Sequence, residues 1–97
     1  MKIVNFHEDA FTEMIEASKY YEERALGLGM SFLDSIEEAV NQVLANPEAC
    51  RLVGDLVRQK LVKRFPYSVL YVIEAESLRV MAISHQKRRP GYWRYRL

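Results

Sequence analysis

The sequence predicts a single α+β domain in which two helices form a hairpin that packs on one face of an antiparallel sheet of about four strands. Apolar residues recur at every third or fourth position up to residue 45 and at every second position after residue 50. These spacings are the periods of helices and of strands. The chain has 97 residues and is 49% apolar, which suffices for one hydrophobic core and leaves no room for a second. Residues 1–97 are therefore predicted to be one domain.

The N-terminal half is predicted to form a short strand followed by two helices. Residues 2–6, KIVNF, are predicted as the strand, and Asp9 as the N-cap of a first helix of about four turns. Gly27-Leu28-Gly29 ends that helix. The second helix is predicted to begin at a capping box that starts with Ser31 and to end at Asn46-Pro47, because proline cannot continue the hydrogen-bonded ladder. The short glycine turn between them predicts an αα-hairpin.

The C-terminal half is predicted to form a meander of three strands, over residues 57–64, 67–74 and 78–85. The links between these strands are short, and short links join antiparallel neighbours. If the helices cover one sheet face, the other stays open, and Arg58, Lys60 and His85 are predicted to project from the open face or its rim. The terminal segment 86–97 follows the last strand directly, so the two basic regions are expected to meet on one surface.

The formal net charge of +1 conceals a division of charge along the chain. Residues 1–50 carry three basic and ten acidic side chains, whereas residues 51–97 carry eleven basic and three acidic ones. Such asymmetry within one domain predicts a basic face that binds a polyanion or an acidic protein segment. The alternative is that the acidic helices lie over a basic sheet and neutralise it.

The C-terminal segment SHQKRRPGYWRYRL concentrates groups that suit nucleic-acid chemistry. Histidine is the side chain that most readily moves a proton near neutral pH, so His85 is a candidate to do so at an RNA 2′-hydroxyl, or it is a structural histidine. Tyr92 lies among arginines, as in sites that stack unpaired bases and hold phosphates together. Trp93 is expected to anchor the C-terminus against the helices. In the middle strand, Arg58 and Lys60 point the same way, which suits a phosphate backbone or the protection of an edge strand.

Several classes of site lack the residues that they need. The single cysteine, Cys50, excludes an internal disulfide and a multi-cysteine zinc site and fits a reducing cytoplasm. There is no glycine-rich phosphate loop, no HExxH and no acid pair in the basic half, so neither a metal nor another cofactor is expected. No apolar run reaches the length of a signal peptide or a membrane span, so no membrane partner is expected.

Motifs along nearly the whole chain resemble the RelE/ParE superfamily of type II toxin–antitoxin toxins. The resemblance is carried by EASKYYEE and SFLDSIEEAVNQVLANP in the helices and, most specifically, by FPYSVLY and AISHQKRRPGYW in the strands and tail. It implies a cytoplasmic toxin without a cofactor, which a cognate antitoxin neutralises, with a toxin–antitoxin heterotetramer as one assembly. RelE-like members enter the ribosome and cleave mRNA without a metal, whereas ParE-like members poison DNA gyrase.

Carried over residue by residue, the resemblance implies a set of site residues. In mRNA cleavage, His85 or Lys60 would take the proton of the 2′-hydroxyl, Arg88 would stabilise phosphoryl charge and Tyr92 would orient the base. One position departs, because Ser68 stands where RelE-like nucleases carry an arginine, and Arg64 or Arg79 would have to substitute for it. The remaining predicted contacts to nucleic acid or a partner are Arg58, Arg64, Lys87, Arg89, Arg94 and Arg96.

Three hypotheses therefore stay open at this point. The toxin is either a ribosome-dependent endoribonuclease, which the basic and aromatic tail favours, or a gyrase poison that acts by binding, which Ser68 favours. The third hypothesis is an inactive family member that serves only as an antitoxin-binding module.

Overall fold

The architecture is a helical hairpin on a four-stranded sheet, as the sequence predicts, in a computed structural model that describes residues 3–97. In chain order the elements are β1 (Ile3–Phe6), α1 (Glu8–Arg24), α2 (Leu28–Ala45), β2 (Val57–Leu61), β3 (Tyr67–Ile73) and β4 (Ser77–His85), with 3₁₀ turns at Pro47–Ala49 and Arg94–Arg96. Lys2, the first residue of the predicted N-terminal strand, lies outside the described residues.

The strand order across the sheet is β1-β4-β3-β2. β2, β3 and β4 form the predicted antiparallel meander, because their short links permit no parallel return. β1 differs from the prediction, since it pairs parallel with β4 and makes the sheet mixed. The chain passes through both helices and two strands between β1 and β4, which is long enough for a parallel pairing. β4 also carries a bulge at Met81. Leu70 of β3 pairs with Ala82 and the next residue, Tyr71, pairs with Val80, so Met81 has no partner in the register.

Both predicted helix N-caps are wrong by a few residues. α1 is capped by His7, whose Nδ1 accepts a hydrogen bond from the Asp9 backbone N–H at 3.0 Å. α2 begins at Leu28 rather than near Ser31. The reason is tertiary, because the Glu22 carboxylate of α1 accepts from the backbone N–H groups at 27 and 29 and so satisfies the first turn of α2.

The helices bury one face of the sheet, which we call the helix face. Phe32 and Ile36 of α2 are almost fully buried and belong to one cluster with Val69 of β3 and Ile83 of β4. Tyr21 of α1 joins it, with its ring centroid 5.4 Å from that of Phe32. Apolar side chains at helical and strand spacing therefore meet where the sequence pattern places them.

The opposite sheet face, which we call the tail face, is not open as the sequence predicts. Val57, Leu70 and Ala82 form an apolar floor there, and Trp93 covers it with only 5% of its surface exposed. Trp93 is thus the buried C-terminal anchor that was expected, but it packs on the tail face instead of against the helices. The reason is that the strands carry apolar residues on both faces, so the second face also needs a cover.

Candidate functional site

The C-terminal segment and the tail face of the sheet enclose a cationic groove of about 290 Å³, which we call the arginine groove. Its charged wall consists of Arg51, Arg88, Arg89 and Arg94, and none of its lining residues is acidic. Its other lining residues are Val53, Gln59, Ser68, Leu70, Ser84, His85, Gln86, Pro90, Gly91 and Trp93. Four guanidinium groups around one depression create a positive potential that favours anions.

The tail that forms this groove is fastened to α1 by Glu13. The Arg96 guanidinium donates to both Glu13 carboxylate oxygens at 2.9 Å, and its side chain is 5% exposed against 15% for Glu13. Glu13 also accepts from the Ile83 backbone N–H at 3.0 Å, and Arg96 donates to the Met81 carbonyl at 3.0 Å. The ion pair therefore provides hydrogen-bond partners for backbone groups of β4 that lie beyond the end of β1 and have no neighbouring strand there.

Arg96 was predicted to contact nucleic acid or a partner, but it is 7% exposed overall and fully engaged within the chain. Its hydrogen bonds to Glu13 raise the pKa of its guanidinium above the usual range, so it stays charged. The sequence does not distinguish Arg96 from its neighbours in RYRL, because only the tertiary position of Glu13 selects it.

Tyr92 is tied to the same carboxylate. Its hydroxyl donates to Glu13 Oε2 at 2.8 Å, and burial together with this bond raises the pKa of Tyr92 to about 12. The Arg88 guanidinium lies over its ring, 3.8 Å from the ring centroid. Arg88 and Tyr92 are therefore adjacent, as predicted, although the Tyr92 hydroxyl is already committed to an internal acceptor.

Arg51 is a groove residue that the sequence interpretation did not single out. Its Nη2 donates to Gln59 Oε1 at 3.0 Å, and Gln59 Nε2 donates in turn to Ser68 Oγ at 3.0 Å. Ser68 is 2% exposed. A cation therefore reaches the neighbourhood of Ser68 from the loop before β2, whereas the predicted substitutes lie elsewhere. Arg64 is on the helix face beside Ser35, and Arg79 pairs with Glu74. An isolated arginine in an irregular segment gives no pattern that could have revealed it.

His85 lies at the rim of the arginine groove, with its ring centroid 5.0 Å from that of Tyr67. Its Nδ1 accepts a hydrogen bond from the Lys87 backbone N–H at 3.0 Å. In a neutral imidazole with this bond the ring N–H is on Nε2, and the acceptor nitrogen, Nδ1, is engaged by the backbone. Lys87 itself, like Arg89 and Arg94, is exposed on the surface of the tail.

The predicted meeting of Arg58 and Lys60 with the tail arginines is wrong. Arg58 pairs across the strands with Tyr71, and Lys60 pairs with Val69, so both point to the helix face. The Arg58 guanidinium donates to the carbonyl oxygens of residues 48 and 50, at 3.1 Å and 2.6 Å. Lys60 lines a separate depression beside α2. The physical reason is the period of the strand, because Gln59, and not its neighbours, reaches the tail face.

Within residues 3–97, the structure contains no group of three or more histidine, cysteine or carboxylate side chains that could hold a metal ion. No helix in the described part of the chain is long and apolar enough to cross a membrane.

The fold and the order of its elements are those of a small α+β toxin of the RelE/ParE superfamily, and comparisons with known proteins agree. A family model described as the ParE toxin of the type II toxin–antitoxin system parDE matches residues 4–90. The chain belongs to this family and is the toxin component of a type II toxin–antitoxin system. A solved structure described as the chromosomal ParDE TA system from P. aeruginosa is similar over 88% of this chain and 96% of that one, with a TM-score of 0.65 and 20% identity. No curated protein matches the chain.

Proposed function

We propose that this toxin acts by binding rather than by catalysis, and that DNA gyrase is its target. The observation that carries the proposal is that each candidate proton acceptor either faces away from the arginine groove or is engaged in an internal hydrogen bond. Lys60 lies on the helix face, the Tyr92 hydroxyl donates to Glu13, and the Nδ1 of His85 is already engaged by the Lys87 backbone N–H. General base catalysis needs a free proton acceptor within hydrogen-bond reach of the substrate.

The arginine groove is the proposed contact surface for the target. Arg51, Arg88, Arg89 and Arg94 line it, and their planar guanidinium groups suit phosphates and carboxylates alike. Lys87 lies beside it on the exposed surface. We expect it to engage DNA phosphates or acidic side chains of the gyrase–DNA complex, and no residue needs to titrate for this.

A second candidate function, ribosome-dependent mRNA cleavage, is favoured by one observation. His85 and two arginines, Arg88 and Arg89, line the same groove. Cleavage would require Nδ1 of His85 to release the Lys87 backbone N–H when RNA binds. The third hypothesis, an inactive antitoxin-binding module, predicts no growth arrest at all.

A decisive experiment combines expression in a bacterial host with assays on the purified toxin. We expect growth arrest with filamentation and a DNA damage response while pulse-labelled protein synthesis continues. Purified toxin should inhibit supercoiling by gyrase and stabilise the cleaved DNA complex. An immediate fall in protein synthesis, with mRNA cut at codon spacing, would instead establish the nuclease.

A pair of matched variants tests the arginine groove. Arg88→Ala with Arg89→Ala should lessen toxicity while the fold remains intact, because exposed substitutions shift stability by only about 0.5 kcal/mol. The control, Arg24→Ala with Arg79→Ala, removes the same charge from elsewhere on the surface and should stay toxic. Equal toxicity of the two double variants would contradict the role of the arginine groove.

The antitoxin is proposed to neutralise the toxin by covering the arginine groove with an acidic segment, and a toxin–antitoxin heterotetramer is the proposed assembly. The site of action is proposed to be the cytoplasm, where gyrase and DNA are found. A complex that still forms with Arg88→Ala and Arg89→Ala at undiminished affinity would place the antitoxin elsewhere.

A further inference from the structure

One acidic residue of the helical hairpin is connected by direct contacts to an arginine of the arginine groove. Glu13 Oε2 accepts from the Tyr92 hydroxyl at 2.8 Å, and the Tyr92 ring lies under the Arg88 guanidinium, 3.8 Å from its carbon. Glu13, Tyr92 and Arg88 thus form a continuous series of contacts, which we call the stack, although Glu13 lies 75 positions before Arg88 in the sequence.

The stack is the main restraint on the Arg88 side chain. Among the residues that the structure describes, the Arg88 guanidinium makes no ion pair, and its ring contact is with Tyr92. A guanidinium without a carboxylate partner keeps its charge available for an external anion. It also needs a rigid surface if it is to stay in one orientation.

Glu13 can fix Tyr92 without neutralising Arg88, because its charge is already balanced. Both of its oxygens accept from Arg96, and one also accepts from the Ile83 backbone N–H. The carboxylate is therefore held in place and compensated, and what it contributes beyond the ion pair is an acceptor for the Tyr92 hydroxyl. The pair is largely buried, with Arg96 at 5% and Glu13 at 15% side-chain exposure, so water competes little for these hydrogen bonds.

We propose that Glu13 is a positioning residue for anion recognition, and that it acts on Arg88 through Tyr92. The ligand class is an oxyanion, either a phosphate group or a carboxylate, bound in the arginine groove. The inference rests on the proposed anion-binding role of that groove and extends it to a residue in the acidic half of the chain.

A double-mutant cycle with inorganic pyrophosphate as the probe tests this inference. Binding is followed by NMR at low salt, on folded variants. Glu13→Gln is expected to weaken pyrophosphate binding by about threefold to tenfold, as for one lost charge-assisted contact. In the Arg88→Ala background the same change should have no further effect, because the residue through which Glu13 acts is gone.

Arg89→Ala provides the matched control for this cycle. Arg89 also lines the arginine groove but has no ring contact with Tyr92. Glu13→Gln should therefore weaken binding by the same factor in the Arg89→Ala background as in the wild type. Equal losses in the Arg88→Ala and Arg89→Ala backgrounds, or no loss in the wild type, would overturn the inference.

Tyr92→Phe keeps the test decisive if Glu13→Gln does not fold. This change removes only the oxygen that bonds to Glu13 and leaves the ring under Arg88. We expect weaker pyrophosphate binding and faster motion of the Arg88 Nε–H group in NMR relaxation, with Trp93 fluorescence unchanged. Unchanged binding and unchanged Arg88 relaxation would refute the role of Glu13.

The test of the positioning role of Glu13 gives a result that is independent of whether gyrase is the target. Pyrophosphate binding and side-chain relaxation are measured on the toxin alone, so they do not depend on gyrase. If wild-type toxin bound pyrophosphate in the arginine groove but did not affect gyrase, the target would be wrong and the positioning role would stand. If the wild type did not bind pyrophosphate there, the inference would fail whatever the target.

Discussion

Replacing Arg96 by alanine should remove a large part of the free energy of unfolding of this protein. The Arg96 side chain is 5% exposed, and its guanidinium donates to both oxygens of Glu13 and to the Met81 carbonyl. Its loss leaves a carboxylate that is 15% exposed without its counterion, and breaking such a pair costs about 3–5 kcal/mol. Since Tyr92 and the Ile83 N–H still donate to Glu13, we expect the lower end, about 3 kcal/mol.

Such a loss is large beside the 5–15 kcal/mol that is usual for a domain, about 0.1 kcal/mol per residue. It should lower Tm by about 12 °C or more, at about 4–8 °C per kcal/mol for a chain of this size. Urea unfolding, followed by far-UV CD and by the fluorescence of the single tryptophan, Trp93, measures the loss in the free energy of unfolding. Arg94→Ala is the matched control, because Arg94 is exposed and should change stability by about 0.5 kcal/mol at most. A cost below about 1 kcal/mol for Arg96→Ala, or one equal to the control, would refute the reasoning.

Three further predictions concern the helix hairpin, the tail and β2. Gly29→Ala should cost about 1–3 kcal/mol in thermal unfolding, because the added Cβ would lie 2.5 Å from the Ser18 carbonyl oxygen. Raising the pH from 10 to 12 should lower the free energy of unfolding in urea titrations. Burial and the bond to Glu13 raise the pKa of Tyr92 to about 12, so the native state keeps a proton that the unfolded state releases. Arg58→Ala should cost about 1–2 kcal/mol in urea, because two backbone carbonyls lose their donor, with pyrophosphate binding unchanged.

Each of these predictions has its own control. Met30→Ala, at the neighbouring exposed position of α2, should leave Tm nearly unchanged, and a similar Tm for Gly29→Ala would show that the hairpin can open there. Tyr92→Phe should flatten part of the alkaline decline, and curves that stay parallel would contradict the assignment to Tyr92. Lys63→Ala, an exposed cation of the same half, should not alter stability. If Arg58→Ala instead weakened pyrophosphate binding as much as Arg88→Ala, Arg58 would belong to the site.

Sequence periodicity predicted the elements well because it reports local geometry. The strand ending at His85 and the helix stop at Asn46-Pro47 depend on side-chain alternation and on the missing N–H of proline, and both are confirmed. The helix starts were predicted less well. The first turn of α2 is satisfied by Glu22, a residue of another helix, and no local signal reports such a partner.

The candidate site was predictable only in part. Arg88, Arg89 and Arg94 do line one groove with His85, as the basic and aromatic tail suggested. Arg58 was assigned to the wrong face, because the alternation of a strand fixes which residues share a face and does not say which face the helices cover.

Sequence patterns are enough to predict the α+β fold, the division of charge between the two halves and the resemblance to the RelE/ParE toxins. Those properties depend on composition, on spacing and on motifs that lie within single elements. The folded structure is needed to see that Trp93 covers the second sheet face, that Arg51 joins the groove and that Glu13 holds the tail. These are contacts between residues far apart in the chain, and their energies depend on burial and partner geometry, which no local pattern encodes.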